Sequence, residues 1–511
     1  MISIYQTLHR EPGGNNKDRL RVFGFTSIGM FIWEPIASYV WPWLNGISIP
    51  CLASMKAAPP TRKVLMTIFG GINSNEGQGI FNFSLDWQYI TSRYMSLPLL
   101  QQANSWVGIV LSYIMCFSLY YGGAWGAKKF PFMSTAMFDA KTGKVYNQTA
   151  VFGQNAILDT EALEVHGLPR LTASNVWANM AAMAAIGALL THIALFYGPL
   201  IKRSLKQAWK KEETDIHYKI MQENYKDVPI WWYVAILLVG FFTGLGAVIK
   251  GHTTLDAWAV ATNNLSKMLC GVLQPGKPVA NLYFSMFSHE VTVLSVFLST
   301  DLKMAQYLKI PWRTMFLLQT WGSLFGTAMN YVIMDTIVAN RREILLDPIG
   351  TQVSSDLTQN QWSGRKIQSL NTTAVTWSLA KYVYGFGRDA ASRIPLSIVV
   401  GAAIPVALWL VSKKYKTIYG WEVSKFVTPV IFHNASETTS GTTSVIWSQV
   451  VVGLWSQWYM RLRHPAWFGK YNYIVGGGLD AGAKVMMFIL TFAVAGGSGK
   501  EVPFPTVSNI K

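Results

Sequence analysis

Residues 262–284, TNNLSKMLCGVLQPGKPVANLYF, place side chains able to do chemistry in a stretch otherwise apolar enough to enter a bilayer. Asn263, Asn264 and Ser266 offer neutral donors and acceptors, Lys267 and Lys277 offer cations, and Pro275 and Pro278 each remove a helical N–H on either side of Gly276. A helix broken in this way frees N–H and C=O groups at its two ends, and these can hold a solute without a charge having to be buried. The stretch reads as a discontinuous helix beside a polar cavity, with Asn263, Asn264, Ser266 and Lys277 as binding candidates; the alternative is an ordinary loop between two short spans. Three carboxyls also fall at membrane depth, where a central charge costs roughly 2.5–3.5 kcal/mol on insertion scales and needs a partner, a water-filled cavity or a proton. They are Glu34 in FIWEPIASYV, Asp86 at the end of the glycine-dense FGGINSNEGQGIFNFSLDWQYI (69–90), and Asp480 in the last apolar run. All three are proton-coupling candidates, although Glu34 could equally pair with a cation such as Lys381, and Asp480 with Lys484 one helical turn away.

Such groups need a membrane scaffold, and the composition supplies one. The chain has 511 residues, 51% hydrophobic, 14% aromatic and 14% charged, with a mean hydropathy of +0.24. A soluble domain of that make-up would expose far too much apolar surface. Apolar runs of about the 20 residues that a bilayer requires lie near 22–44, 104–121, 175–199, 229–249, 281–300, 314–338, 394–412, 441–460 and 473–496. Shorter or glycine-broken pieces near 64–82, 260–273, 372–386 and 421–433 read as re-entrant or interrupted segments, whose backbone must be buried in protein or line a cavity. The expected fold is an all-α polytopic membrane protein with about nine to eleven transmembrane helices plus re-entrant segments. It forms a single membrane domain over 1–511, with a basic loop at 201–228 and a polar connection at 339–371.

The net charge of +17 does not point to nucleic acid, because the basic residues gather in connections such as IKRSLKQAWKK (201–211) and SKKYK (412–416). That is the positive-inside pattern, and it places 201–228 in the cytoplasm and 125–174, with the sequon at Asn147, on the far side. The charged run around Pro311 (Lys303, Lys309, Arg313) reads as anchors at the cytoplasmic edge. Cys51, Cys116 and Cys270 have no metal-ligand spacing, and neither a metal site nor a cofactor is expected. No GxxxxGK[ST], HExxH or GxSxG motif occurs, which disfavours an ATP-driven pump, a metalloprotease and a serine hydrolase, so a secondary carrier rather than an enzyme is left.

The phrases GQGIFNFSLDWQYI, MFDAKTGKVYN, DIHYKIMQENYKDVPIWWY, ATNNLSKMLCGVLQPGKPVANLYFSMFSHEV, DLKMAQYLKIPWRTMFLLQ, AVTWSL and HPAWFGKYNYIVGGGLDAGAKV follow the order seen in the fungal oligopeptide transporters, and over nearly its whole length the chain resembles that family. The resemblance implies proton-coupled import of small peptides, or in relatives of glutathione or metal chelates, by a two-lobed membrane protein, most simply at the plasma membrane. It places the broken helix at the substrate cavity. Tyr471 and Asn472, in the last of these phrases, join the substrate-binding candidates. Several family features are missing: the Asn-Pro-Gly-Pro-Phe motif, a span between Lys250 and Ala261, the second proline of Lys-Ile-Pro-Pro-Arg (Trp312 here), and the C-terminal Trp-Trp-Gly-Asn. The chain therefore reads as the last two-thirds or so of the family pattern, and peptide movement by this chain alone is not expected. The orientation has a direct test. A cysteine at Thr149 should react with an impermeant thiol reagent on intact cells, and one at Ser204 should not; the reverse result would invert the topology.

Overall fold

The computed structural model describes residues 14–70, 77–153, 155–210, 215–250, 263–346, 364–384, 393–418, 420–437, 443–500 and 502. The principal helices are α1 (Gly14–Pro35), α2 (Pro59–Phe69), α3 (Leu99–Tyr121), α4 (Ala173–His192), α5 (Ile230–Lys250), α6 (Asn263–Leu273), α7 (Pro278–Leu308), α8 (Trp312–Leu345), α9 (Arg365–Ser378), α10 (Ser397–Lys414), α11 (Thr428–Glu437), α12 (Ile446–Leu454) and α13 (Pro465–Ala493). Every long apolar run of the sequence is helical. Among the described residues, α3, α4 with its continuation to Gln207, α7, α10 and α13 are long and apolar enough to cross a membrane, and Ile230–Gly244 is a shorter apolar helix. These five are fewer than the nine to eleven expected, because a helix such as α1 opens on the polar GNNKDR and spreads its apolar content too thinly. The four shorter pieces also contain helices: α2, α6, α9 and α11. Regular strand pairing among the described residues is limited to Thr417–Ile418 against Trp421–Glu422.

The polar 339–371 connection is helical at both ends, since α8 runs to Leu345 and α9 starts at Arg365. Its middle, 347–363, lies outside the described residues, as does the 251–262 stretch where the family's further span is missing from the sequence. Local signals start the helices where they occur. Thr172 accepts from the Asn175 N–H at the head of α4, and Pro278 and Pro465 occupy the first turns of α7 and α13, where a missing N–H is harmless.

Lipid offers no hydrophobic drive to bring helices together, so they associate through close packing at small residues and through polar contacts. α1 lies along α13, and a β-carbon added at Gly482 would stand 2.2 Å from the Ser27 carbonyl oxygen. α4 meets α10 at Gly187 and Gly401, α3 meets α11 at Gly108, and α6 meets α9 at Gly271, whose added β-carbon would fall 1.8 Å from the Trp377 carbonyl oxygen. α4 touches α3, α11, α10 and α6, and so joins one helix group to the next.

Two polar layers cap this scaffold. On the side of the basic loop, Asp215 starts a short helix by accepting from His217 N and pairs with Lys303 of α7. The Lys303 ammonium beside Asp215, followed by the His217 N–H, holds that carboxyl below the usual carboxylate range. Lys309 Nζ reaches His217 Nδ1 at 3.0 Å, and Arg313 Nε donates to the Asp227 carbonyl at 3.0 Å. The expected edge anchors thus clamp the basic segment onto the α7–α8 corner. On the other side, the 125–170 connection folds into a lid in which Met137, Tyr146, Val151, Phe152 and Leu163 pack against Val375 and Leu379.

Substituting Gly482→Leu should force α1 from α13 and lower stability by about 3 kcal/mol or more, whereas Gly469→Leu on the same helix, with nothing within 4 Å of an added β-carbon, should be tolerated. Thermal unfolding of purified protein in detergent distinguishes the two.

Candidate functional site

The break between α6 and α7 is built as a hairpin. Gly276 takes a φ of +79°, which glycine adopts freely. Its N–H donates to the Ser378 carbonyl at 2.9 Å, and its own carbonyl accepts from Leu158 N at 2.9 Å, while Gln274 N returns to the Cys270 carbonyl at 2.7 Å. The freed backbone is thus satisfied by α9 and by the lid. Beyond the turn the two arms run side by side. Asn281 Nδ2 donates to the Lys267 carbonyl at 2.7 Å and Ser288 Oγ to Ser266 Oγ at 2.8 Å. Ser288 lies ten residues past Pro278, roughly 15 Å along the helix axis, so the contact with Ser266 lies well along α7 from the turn rather than beside it. Lys267 is only 3% exposed, forms no salt bridge among the described residues, and has the unpartnered Asn281 Oδ1 on a neighbouring side chain.

The second polar site is the glycine-rich loop. Residues 77–86 double back against the end of α2: Gln78 N donates to the Thr67 carbonyl at 3.1 Å and Gly79 N to that of Gly70 at 2.7 Å. Ser84 is fastened to α12, its N–H donating to Ser448 Oγ at 2.8 Å and its carbonyl accepting from that hydroxyl at 2.7 Å. Asp86 closes the loop, accepting from Gln88 N at 2.9 Å and from Asn45 Nδ2 at 3.0 Å. The Glu34 carboxyl faces Asp86. Glu34 is fully buried, and although the Trp87 and Gln88 N–H groups approach its carboxyl, neither oxygen reaches hydrogen-bond geometry. The pair is thus two buried carboxyls facing each other, and Glu34 forms no salt bridge with a lysine among the described residues.

The remaining candidates have different surroundings. Asp480 forms no ion pair with Lys484. Its oxygens accept instead from Trp87 Nε1 at 2.9 Å, Ser92 N at 2.9 Å and Ser92 Oγ at 2.6 Å. Spacing of four places two residues on one helix face but does not make them partners, and the loop after Asp86 supplies three donors where Lys484 supplies at most one bond across exposed surface. Asn472 is fully buried and engaged at both ends, accepting from Ser456 Oγ at 2.9 Å and donating to the Met95 carbonyl at 2.9 Å. That carbonyl also receives Ser456 Oγ and Gln457 Nε2, so one oxygen knots α13 and the helix after α12 to the segment before α3. Tyr471 belongs to an aromatic row with Trp467 and Trp455. Asn264 and Lys277 are half-buried at the two ends of the hairpin's first arm and turn, and the Asn263 side chain lies outside the described residues. None of the hydrogen bonds among the described residues links the Glu34–Asp86 pair to the hairpin.

Sequence reasoning passed over Gln78, Asn82, Tyr113, Trp447 and Asn281 as site residues. Gln78 and Asn82 stood within the glycine-dense stretch, where polar residues at membrane depth were a usable signal; Tyr113 and Trp447 lay inside apolar runs and carried none. A groove of about 520 Å³ between α8 and α13, lined by Met329, Val332, Phe488 and Phe492 among others, is apolar and faces away from this chemistry.

The family described as OPT oligopeptide transporter protein matches residues 1–262 and 257–494. The chain belongs to that family. Among curated relatives it is 26% identical to oligopeptide transporter phomP2 of Diaporthe leptostromiformis, covering 96% of this chain and 65% of that protein. It is 24% identical to oligopeptide transporter 1 of Saccharomyces cerevisiae (98% and 64%) and 26% identical to glutathione transporter 1 of Schizosaccharomyces pombe (97% and 61%). The chain thus spans just under two thirds of the length of these relatives. No solved structure matches it.

Asp480→Asn should destabilise the protein by about 1.5–3 kcal/mol, since a partly buried charge-assisted acceptor for three donors is lost, while Lys484→Gln should change stability by less than about 0.5 kcal/mol. Equal losses in the two variants, measured by thermal unfolding, would restore the ion pair.

Proposed function

We propose that this chain is a secondary carrier of small oligopeptides, drawing on the proton gradient and working most simply at the plasma membrane. The observation that carries the reading is the hairpin at 263–288: a broken helix with neutral polar groups and a buried lysine, Lys267, with no salt bridge among the described residues, in a chain of the oligopeptide transporter family. A buried amino group of this kind suits the carboxylate of a peptide, and the serines and carboxamides around it suit amide groups. Glutathione and its metal chelates offer the same carboxylates, and one relative is named as a glutathione transporter, so substrate breadth within this class is part of the proposal. Substrate-binding roles for Asn263, Asn264, Ser266 and Lys277 follow from their place on the hairpin. Tyr471 is proposed at the aromatic edge of the path, and Asn472 to support it by holding the Met95 joint.

Proton coupling is assigned to the Glu34–Asp86 pair. Two facing carboxyls in a low dielectric cannot both carry charge cheaply, so one proton held between them is gained and lost as the site meets each aqueous side. Asp480, saturated by three donors, supports the loop that carries Asp86.

The transport-inactive remnant, favoured by the missing family motifs, is the competing reading. Against it stands the packing of both polar sites into the protein: the hairpin turn is held by Ser378 and Leu158, and the loop at 77–86 by Thr67, Gly70 and Ser448. Labelled tetrapeptide uptake in a host stripped of its own peptide carriers separates the two: uptake that grows as the outside is acidified supports the carrier, and none from a well-expressed chain supports the remnant. Glu34→Gln should flatten the acid stimulation and lower uptake by about tenfold or more; an unchanged pH profile would remove the pair from coupling.

A further inference from the structure

The loop that carries Asp86 has a property separate from its carboxyl. Its backbone is satisfied, with Gln78 N, Gly79 N and Asn82 N all bonded within or beside the loop. Its side chains are not. Gln78 and Asn82 are fully buried, and both atoms of each carboxamide, Oε1 and Nε2, Oδ1 and Nδ2, are without a hydrogen-bond partner. The Tyr113 hydroxyl and the Trp447 indole N–H stand beside each other outside hydrogen-bond geometry and are also unpartnered. Contacts hold the loop against α12 and α3: Phe81 lies on Trp447 with centroids 4.8 Å apart, the Gly77 carbonyl accepts from Thr443 just ahead of α12, and the Cys116 thiol of α3, a weak hydrogen-bonding group, approaches the Gln78 carboxamide without reaching hydrogen-bond geometry. The chain takes left-handed backbone at Gly79 (φ +65°) and at Phe81 (φ +57°), the latter uncommon for a non-glycine residue.

Leaving a buried donor or acceptor unmade costs about 1–3 kcal/mol apiece, and several in one place are kept when a ligand satisfies them. The ligand chemistry is legible in the groups. A carboxamide presents one acceptor and a pair of donors, the complement of a peptide bond's N–H and C=O, and it takes no interest in the side chains beyond. Building on the carrier reading, we propose that Gln78 and Asn82, flanked by Tyr113 and Trp447, form a clamp for the backbone amides of the transported peptide. The clamp recognises the peptide bond itself, which would let one site accept many sequences. In the conformation described the clamp is closed off from water, so peptide engages it as the surrounding helices part.

The test compares a tetrapeptide with its depsipeptide analogue, in which the central N–H is replaced by an ester oxygen, using purified full-length chain for equilibrium binding and intact cells for uptake. The wild type should bind the ester about tenfold or more weakly. The double variant Gln78→Leu/Asn82→Leu should bind the tetrapeptide about tenfold or more weakly, should lose the discrimination, and should keep or raise its thermal midpoint, since it removes unsatisfied polar groups rather than made bonds. Unchanged affinity and discrimination would show that the clamp holds ordered water only. A lowered midpoint with discrimination intact would make these residues structural. Both results overturn the clamp while leaving the carrier reading in place. A wild type that neither binds nor moves any peptide defeats the carrier reading and the clamp with it.

Discussion

Inside a bilayer a backbone that leaves the helix has no water to turn to, and each N–H or C=O it exposes must be answered by protein. That constraint organises the molecule. The turn at Gly276 is possible because α9 and the lid each supply one bond to it, and the loop at 77–86 because α2 and α12 receive it on both sides. The lid and the short α9 are therefore part of the turn rather than decoration on it, since each satisfies a backbone group freed where α6 ends and α7 begins.

The same constraint separates polar side chains that hold the fold from those available to a ligand. Asp480, Asn472, Ser448 and Ser456 have all their principal bonds made, and each joins elements far apart in the chain. Glu34, Gln78, Asn82 and Asn281 are equally buried but have bonds unmade. Because a satisfied buried group rigidifies and an unsatisfied one costs free energy, the contrast separates the polar groups that fix the fold from those buried at a cost.

Much of the scaffold was legible in the sequence because hydropathy is a local property. All nine apolar runs are helical, and the proline–glycine signal at 275–278 located the break to the residue. Boundaries shifted where a local rule intervened: the run at 22–44 leaves regular α-helix at Pro35 and continues as the wider turn Ile36–Val40. What the sequence could not show was partnership. Asp480 and Lys484 share a face by spacing, yet the donors to Asp480 come from Trp87 and Ser92, and Glu34 meets Asp86 instead of a lysine. No periodicity records such pairings, since they depend on which helices the small residues let approach.

The contact between α1 and α13 also sets an order of events. Ser92 and Asp480 are 388 positions apart, and Gly482, which seats α1, is made later still. During synthesis the first helix and the glycine-rich loop enter the membrane with their eventual partners not yet translated. Until α13 arrives, the Ser92 and Trp87 donors and the small-residue face of α1 are open to lipid, other chains or membrane chaperones. α13 is thus the helix that locks α1 in place, and the two cannot pair until α13 has left the ribosome.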